Sequence, residues 1–275
     1  MPFSRVGEAD IYWKLEGCSD APALVLLNSI GTDMDLWDGV VPALRDRFRL
    51  LRIDTRGHGA SRASRGDYSL ALLAEDILSV AADAGIDCMS VAGVSLGGMI
   101  AMQLALVEPA RVTKLALICT SATMDSGAWD DRVQKVREQG MASIASLAMG
   151  RFLSESFRAH QPAITATIER QLGGMDPDGS HGSAVAIRDM QIAERLGDIP
   201  CPTLVITGTR DSSTPFEGHG EVLLRSIAGA SHQALSFMKL SQASGANATR
   251  AMSWHVVPET MITGRLALWR MSCST

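Results

Sequence analysis

Aromatic residues are scarce in this chain, at 5% of 275 residues, with two tyrosines among them. Positive charge is also in short supply. Lys and Arg number 25 against 30 Asp and Glu, a net charge of −5. With no Lys/Arg-rich run, this balance argues against a nucleic-acid partner. No C-x-x-C pair occurs. The five cysteines (Cys18, Cys88, Cys119, Cys201, Cys273) are odd in number and scattered, which points to reduced thiols rather than a disulfide framework. Met1–Asp10 lacks the apolar core of a signal peptide. The most apolar stretch, Met89–Val107, is interrupted by Ser90, Ser95, Gln103 and glycines, so it does not read as a membrane span. At 46% hydrophobic and 20% charged residues, collagen-like, disordered and coiled-coil classes are excluded. What remains is one large cytoplasmic domain of enzyme size, with room for an inserted sub-domain. The expected partner is a small molecule, with no nucleic acid and no membrane; nothing in the sequence gives an oligomeric state.

Continuous apolar runs at Ala23–Leu27, Leu115–Cys119 and Thr203–Thr207 read as strands buried on both faces, and Met89–Val94 reads as a short strand. Ala9–Leu15 and Phe48–Ile53 read as further strands. Helical spacing predicts helices over Asp33–Arg45, Leu70–Ala84 and Gly98–Val107. The alternation implies an α/β fold, a mostly parallel sheet with helices on both faces. It lapses between Thr120 and Pro200. There only helices are expected: Trp129–Gly140, Ala142–Phe152, Ala163–Leu172 and Ser183–Leu196, the last two separated by the turn-rich Gly173–Ser180. An all-helical insert must lie outside the sheet, where it can cover ligands bound beyond the strands' carboxyl ends. The expected division is a core of 1–120 and 201–236, a helical cap of 121–200, and a tail of 237–275.

Gly93-Val-Ser95-Leu-Gly97 lies between a strand and a helix. G-x-S-x-G in that context is the pattern of a nucleophile elbow, making Ser95 the candidate nucleophile. Its glycines suit a turn too sharp for Cβ atoms. The helix start behind it favours a developing oxyanion. Asn28-Ser-Ile-Gly31, at the end of an earlier strand, suits the loop that lends a second amide, so Ile30 and Leu96 are the expected oxyanion donors. Asp211, past the strand Thr203–Thr207, stands where a triad needs its acid. Asp125 is a weaker substitute. His58, between two glycines at a turn, reads as structural.

The segments Asn28–Trp37, Arg52–Ser61, Gly93–Ile100 and Thr203–Gly208 resemble α/β-hydrolases. More narrowly, they are similar to the 3-oxoadipate enol-lactonases of the β-ketoadipate pathway of aromatic catabolism. The segments Trp129–Val133, Gly140–Ala142, Arg151–Phe152 and Ile187–Asp189 are similar to that family's cap. The resemblance runs from about residue 3 to about residue 235. It implies serine-catalysed hydrolysis of a small carboxylated lactone, with no metal or organic cofactor. Trp129 and Arg132, one helical turn apart, are candidate substrate-binding residues, Arg132 for the carboxylate. The rival activities are a general carboxylesterase and an inactive hydrolase-fold ligand binder.

Beyond residue 235 the resemblance fails. The family carries its triad histidine in a loop after the last strand, and Lys239 stands at that position. Ser236–Thr275 holds four positive residues against one negative, and four of the 14 methionines. This break suggests a shifted reading frame, with a divergent tail as the other reading. His232 and His255 are the alternative candidates for the base, and Lys239 is a third. His160 and His181 fall in the cap, and His219 is expected to start a surface helix.

Overall fold

The structure is a computed structural model that describes residues 3–153 and 155–235. Its strands are β1 (Phe3–Val6), β2 (Ala9–Gly17), β3 (Ala23–Leu27), β4 (Arg49–Ile53), β5 (Met89–Val94), β6 (Val112–Ile118), β7 (Thr203–Gly208) and β8 (Ser231–Leu235). They form one sheet in the order β1-β2-β4-β3-β5-β6-β7-β8. β1–β2 and β2–β4 pair antiparallel, and every later pair is parallel. The expected mostly parallel α/β sheet is therefore the fold. β1 escaped the sequence reading because Phe3-Ser-Arg-Val6 is short, partly polar and at the sheet edge.

The helices are α1 (Val41–Leu44), α2 (Leu70–Asp83), α3 (Leu96–Val107), α4 (Ser126–Gln139), α5 (Ala142–Phe152), α6 (Glu155–His160), α7 (Pro162–Gly173), α8 (Pro177–Arg188) and α9 (Glu221–Ser226). Strand alternation sorts the core. Val25, Leu27, Leu51, Ile53, Val91 and Leu117 pack with α2 and α3 on one face. Leu24, Leu26, Leu50, Ala92 and Ile118 pack with Trp37, Val41 and Leu44 on the other. Among the described residues no helix is long and apolar enough to cross a membrane.

Three expectations change. The helix over Asp33–Arg45 is two pieces, a 3-10 turn at Met34–Trp37 and α1. The buried Asp54 carboxylate takes the Met34 amide, and Pro42 near the start of α1 has no amide to continue a longer helix. The helix over Ser183–Leu196 begins earlier and stops sooner, at Pro177–Arg188, with a separate 3-10 turn at Ala193–Asp198. Asp176 accepts the Asp178 amide and Pro177 takes the first turn. Asp-Pro thus starts a helix inside what reads as a turn-rich stretch. α6 has no buried residue, so it left no hydrophobic period to read.

Between β6 and β7 the regular structure is helical, as expected. These helices press on the loops leaving β3 and β4. A Cβ on Gly57 would overlap the backbone of Gly179 in α8, and one on Gly31 would meet Leu172 of α7 at 2.7 Å. The β4 loop is held from below by a buried ion pair. Arg56 Nε donates to Asp76 Oδ2 of α2 at 2.8 Å, and both side chains are almost fully buried. Removing one partner of such a pair strands a charge. Arg56→Met should therefore lower the unfolding free energy by about 3–5 kcal/mol, read by urea denaturation. An unchanged stability would show that the Asp76 carboxylate needs no counter-charge.

Candidate active site at the carboxyl edge of the sheet

β5 is buried along its whole length and delivers Ser95 to the carboxyl edge. Ser95 has φ 52° and ψ −115°, a left-handed conformation that costs an L-residue on the order of 1–3 kcal/mol. The surroundings impose it. Ser95 N–H donates to Ile118 O at 3.0 Å. Its carbonyl accepts from Gly98 N at 2.9 Å, Met99 N at 3.1 Å and Thr120 Oγ1 at 2.6 Å. A Cβ on Gly93 would overlap the Gly97 carbonyl, and one on Gly97 would overlap the Leu27 carbonyl. Only glycine fits either place.

The same contact brings the loop after β3 against the start of α3. Asn28 anchors that loop from a fully buried position. Its Nδ2 donates to Ile53 O at 2.8 Å, and its Oδ1 accepts from Trp37 Nε1 at 2.9 Å. Thr32 closes the turn with its amide and hydroxyl on Ser29 O, at 3.2 and 2.9 Å. Among the described residues the amides of Ile30 and Leu96 have no hydrogen-bond acceptor.

Asp211 sits three residues past β7, with its amide on Gly208 O at 3.1 Å. Its Oδ1 accepts from Ser213 N at 2.8 Å and Thr214 N at 3.1 Å, and its Oδ2 from Thr214 Oγ1 at 2.8 Å. The carboxylate is thus oriented by its own loop. Asp125 is occupied differently: it caps α4, accepting from Gly127 N at 2.9 Å.

The histidines are spoken for elsewhere. His232 lies inside β8 opposite Val205. Its Nε2 meets Thr207 Oγ1 at 2.8 Å and its ring stacks on Phe216, while burial lowers its pKa. His219 does not begin a merely surface helix. It is half-buried before α9, with Nδ1 2.7 Å from the buried Ser121 Oγ. His160 and His181 bond to Ser156 O and Asp67 Oδ1. Among the described residues no histidine is hydrogen-bonded to Ser95 or Asp211. Lys239 and His255 lie outside the described residues.

His58 is structural in its contacts, as expected. Its Nδ1 meets Arg56 O at 3.1 Å, so that nitrogen carries the proton. Burial, helped by the Arg132 guanidinium, pushes its pKa down to about 4. Asp54 receives Met34 N and Ala60 N, both at 2.8 Å. Burial, with added repulsion from Asp33 and Asp35, raises it to about 6 despite those amides. On α4, Trp129 is buried and the Arg132 guanidinium lies 5.2 Å from its ring centroid. A cavity of about 200 Å³ opens between His58, Gly59 and the Gly31–Asp33 loop on one side and Ile168, Gln171 and Met175 on the other. No group of His, Cys, Asp and Glu among the described residues could hold a metal ion.

Asp54 and His58 shape the pH dependence of stability in opposite senses. Asp54 loses its proton near 3.8 unfolded and about 6 folded. Between those values the fold binds more protons, so this contribution falls as pH rises. His58 gains its proton at 6.5 unfolded but only at about 4 folded, so its contribution rises with pH over that range. The two slopes oppose each other. Asp54→Asn should leave a rising stability, and His58→Gln a falling one, each by up to about 1.4 kcal/mol per pH unit in urea titrations. Slopes of the same sign in the two variants would contradict this.

Residues 22–222 match the family described as alpha/beta hydrolase fold. The chain is 30% identical to 3-oxoadipate enol-lactonase 2 of Acinetobacter baylyi, over 89% of this chain and 90% of that protein. It is also 30% identical to a pimeloyl-[acyl-carrier protein] methyl ester esterase of Nitrosomonas europaea, over 73% of this chain and 82% of that one. Among solved structures, the enol-lactonase of Burkholderia xenovorans LB400 superposes with TM-score 0.82 at 32% identity, covering 85% of this chain and 91% of that one. A hydrolase of Pseudomonas aeruginosa gives TM-score 0.81 at 36% identity, over 85% and 89%. With the elbow, the parallel sheet and this match across most of its length, the chain belongs to the α/β-hydrolase family.

Proposed function

We propose that this chain hydrolyses a small carboxylated enol-lactone of the 3-oxoadipate enol-lactone type, with Ser95 as nucleophile. The observation that carries the reading is the strained turn at Ser95, packed through Gly97 against the loop that holds Ile30. Ser95 Oγ attacks the lactone carbonyl and gives its proton to a base. The tetrahedral oxyanion is held by the amides of Ile30 and Leu96. Collapse breaks the ring C–O bond and releases an enolate, which takes up a proton and tautomerises to the ketone. Water then attacks the acyl-serine carbonyl as the base takes a proton from it, the bond to Ser95 Oγ breaks, the base returns that proton to Oγ, and the acid leaves. Asp211 orients and stabilises the base.

On this proposal the expected division holds as a division of labour, with 1–120 and 201–236 as the catalytic core and 121–200 as the cap. Arg132, braced by Trp129, pairs with the substrate carboxylate. Enol-lactonase relatives support a small lactone as substrate, and the esterase relative supports the broader ester-hydrolase reading.

A second reading, weak or absent turnover, is favoured by one observation. Every histidine among the described residues is bonded away from Ser95 and Asp211. On this proposal the base belongs to segment 236–275, where Lys239 replaces the family's histidine. A charged ammonium accepts no proton, so the parent enzyme is slow.

Ser95→Ala should abolish the lactone hydrolysis the chain shows, by about 10³-fold in kcat where a working base exists, with little change in stability. Full activity in that variant would remove Ser95 from the mechanism. Lys239→His should raise kcat/KM on an enol-lactone, by less than the roughly 10²–10⁴-fold of a well-aimed general base. A parent that is already fast, and slowed by the change, would put the base elsewhere.

A further inference from the structure

His219 lies in the turn Phe216–Gly220, between β7 and α9. The turn rests on the carboxyl end of β7: a Cβ on Gly220 would come within 2.8 Å of Thr207 Cγ2. From there the half-buried imidazole reaches the exit of β6, where its Nδ1 lies 2.7 Å from the buried Ser121 Oγ. β6 is the sheet neighbour of β5, the strand that delivers Ser95. Thr120, the residue before Ser121, donates its hydroxyl to the Ser95 carbonyl at 2.6 Å and fills the space that a Cβ on Gly98 would need. The imidazole and the nucleophile are thus both anchored on the β6 exit, at consecutive residues.

The bonds of Ser121 fix where the ring carries its proton. Ser121 Oγ donates to Thr123 O at 2.6 Å and accepts from Thr123 N at 3.1 Å. A hydroxyl has one proton to give, so its bond with His219 is one it accepts. Nδ1 therefore holds the imidazole proton, and Nε2 holds the lone pair. Among the described residues Nε2 of His219 has no hydrogen-bond partner. The other histidines of the core differ. His232 has its Nε2 on Thr207, and His58 Nε2 is sealed in the interior. A ring oriented through Nδ1, with Nε2 left basic, is the arrangement of a general base.

We infer that His219 is a surrogate base for Ser95, in a chain where Lys239 holds the position of the family's histidine. The inference rests on the reading of Ser95 as the nucleophile. No hydrogen bond joins His219 to Ser95, so the proton travels through one water, a span that a general base can bridge. As Ser95 Oγ attacks the lactone carbonyl, its proton passes through that water to Nε2. The ring C–O bond breaks, and the imidazolium gives the proton to the enolate. A second water then attacks the acyl-serine carbonyl and loses a proton to Nε2. The bond to Oγ breaks, and Oγ takes that proton back. A base at this remove is poorly aimed, so the turnover it supports is slow.

The test uses the full chain and p-nitrophenyl acetate. The parent should hydrolyse the ester slowly, but faster than Ser95→Ala. His219→Ala should lose about 10-fold or more in kcat, and added imidazole should restore part of the loss. The restoration should vanish in the His219→Ala, Ser95→Ala double variant, which measures the direct reaction of imidazole with the ester. Where His219→Ala does not fold, His219→Gln takes its place in the rate comparison, and nitrogen-15 NMR takes the place of the rescue. The His219 ring of the parent should then show the Nδ1–H tautomer, and Ser121→Ala should lose that preference. A His219 variant as fast as the parent, a loss that imidazole leaves unrestored, or a ring without the Nδ1–H preference overturns the inference. A parent no faster than buffer alone overturns it too. Equal rates for the parent and Ser95→Ala, both well above buffer, remove Ser95 as nucleophile and the inference with it.

Discussion

Everything at the carboxyl edge depends on how closely the backbone around Ser95 can approach its neighbours. Gly93 abuts Gly97, Gly97 abuts the end of β3, and Gly98 abuts Thr120. Each contact is closer than a Cβ would allow. The result is a serine held in a left-handed turn between β5 and α3, with the β3 exit loop against it and the β6 exit bonded to its carbonyl. Strain of this kind survives because neighbouring strands over-determine it. It places a hydroxyl beside helix-terminal amides, where negative charge is favoured.

A second layer is electrostatic and surrounds the β4 loop. Asp54 gathers the amides of Met34 and Ala60. Arg56 pairs with Asp76 below, and Arg52 carries ion pairs to Glu16, Asp35 and Asp38. Arg52, Asp54, Arg56 and Asp76 are buried and depend on these partners, whereas Glu16, Asp35 and Asp38 keep contact with water. The loops so fixed are those on which α7 and α8 rest, at Gly31 and Gly57. Rigid loops of this kind give the helices between β6 and β7 a floor, and the cavity lies between the two.

The parallel core and the elbow were legible because their signals are local. Ala23–Leu27 is apolar throughout, and Gly93–Gly97 writes its own turn. Signals that depend on distant partners were not legible. Asp176-Pro177 carries the marks of a turn and of a helix cap alike, and the helix it starts packs Gly179 on Gly57, 122 residues away. His219 has a partner 98 residues away, which no local pattern reveals. Asp211 was legible through the strand before it, whereas Asp125, equally placed after a strand, is absorbed as a helix cap.

The claim on which the account turns is that Ser95 is an activated nucleophile. The direct measurement is peptide mass spectrometry after reaction of the full chain with a fluorophosphonate. The account predicts one phosphonyl adduct, carried on the peptide containing Gly93–Gly97, formed more slowly than in a hydrolase with a complete triad and faster than at unactivated serines elsewhere in the chain. Labelling spread over several serines, or an adduct on a peptide without Ser95, would contradict it.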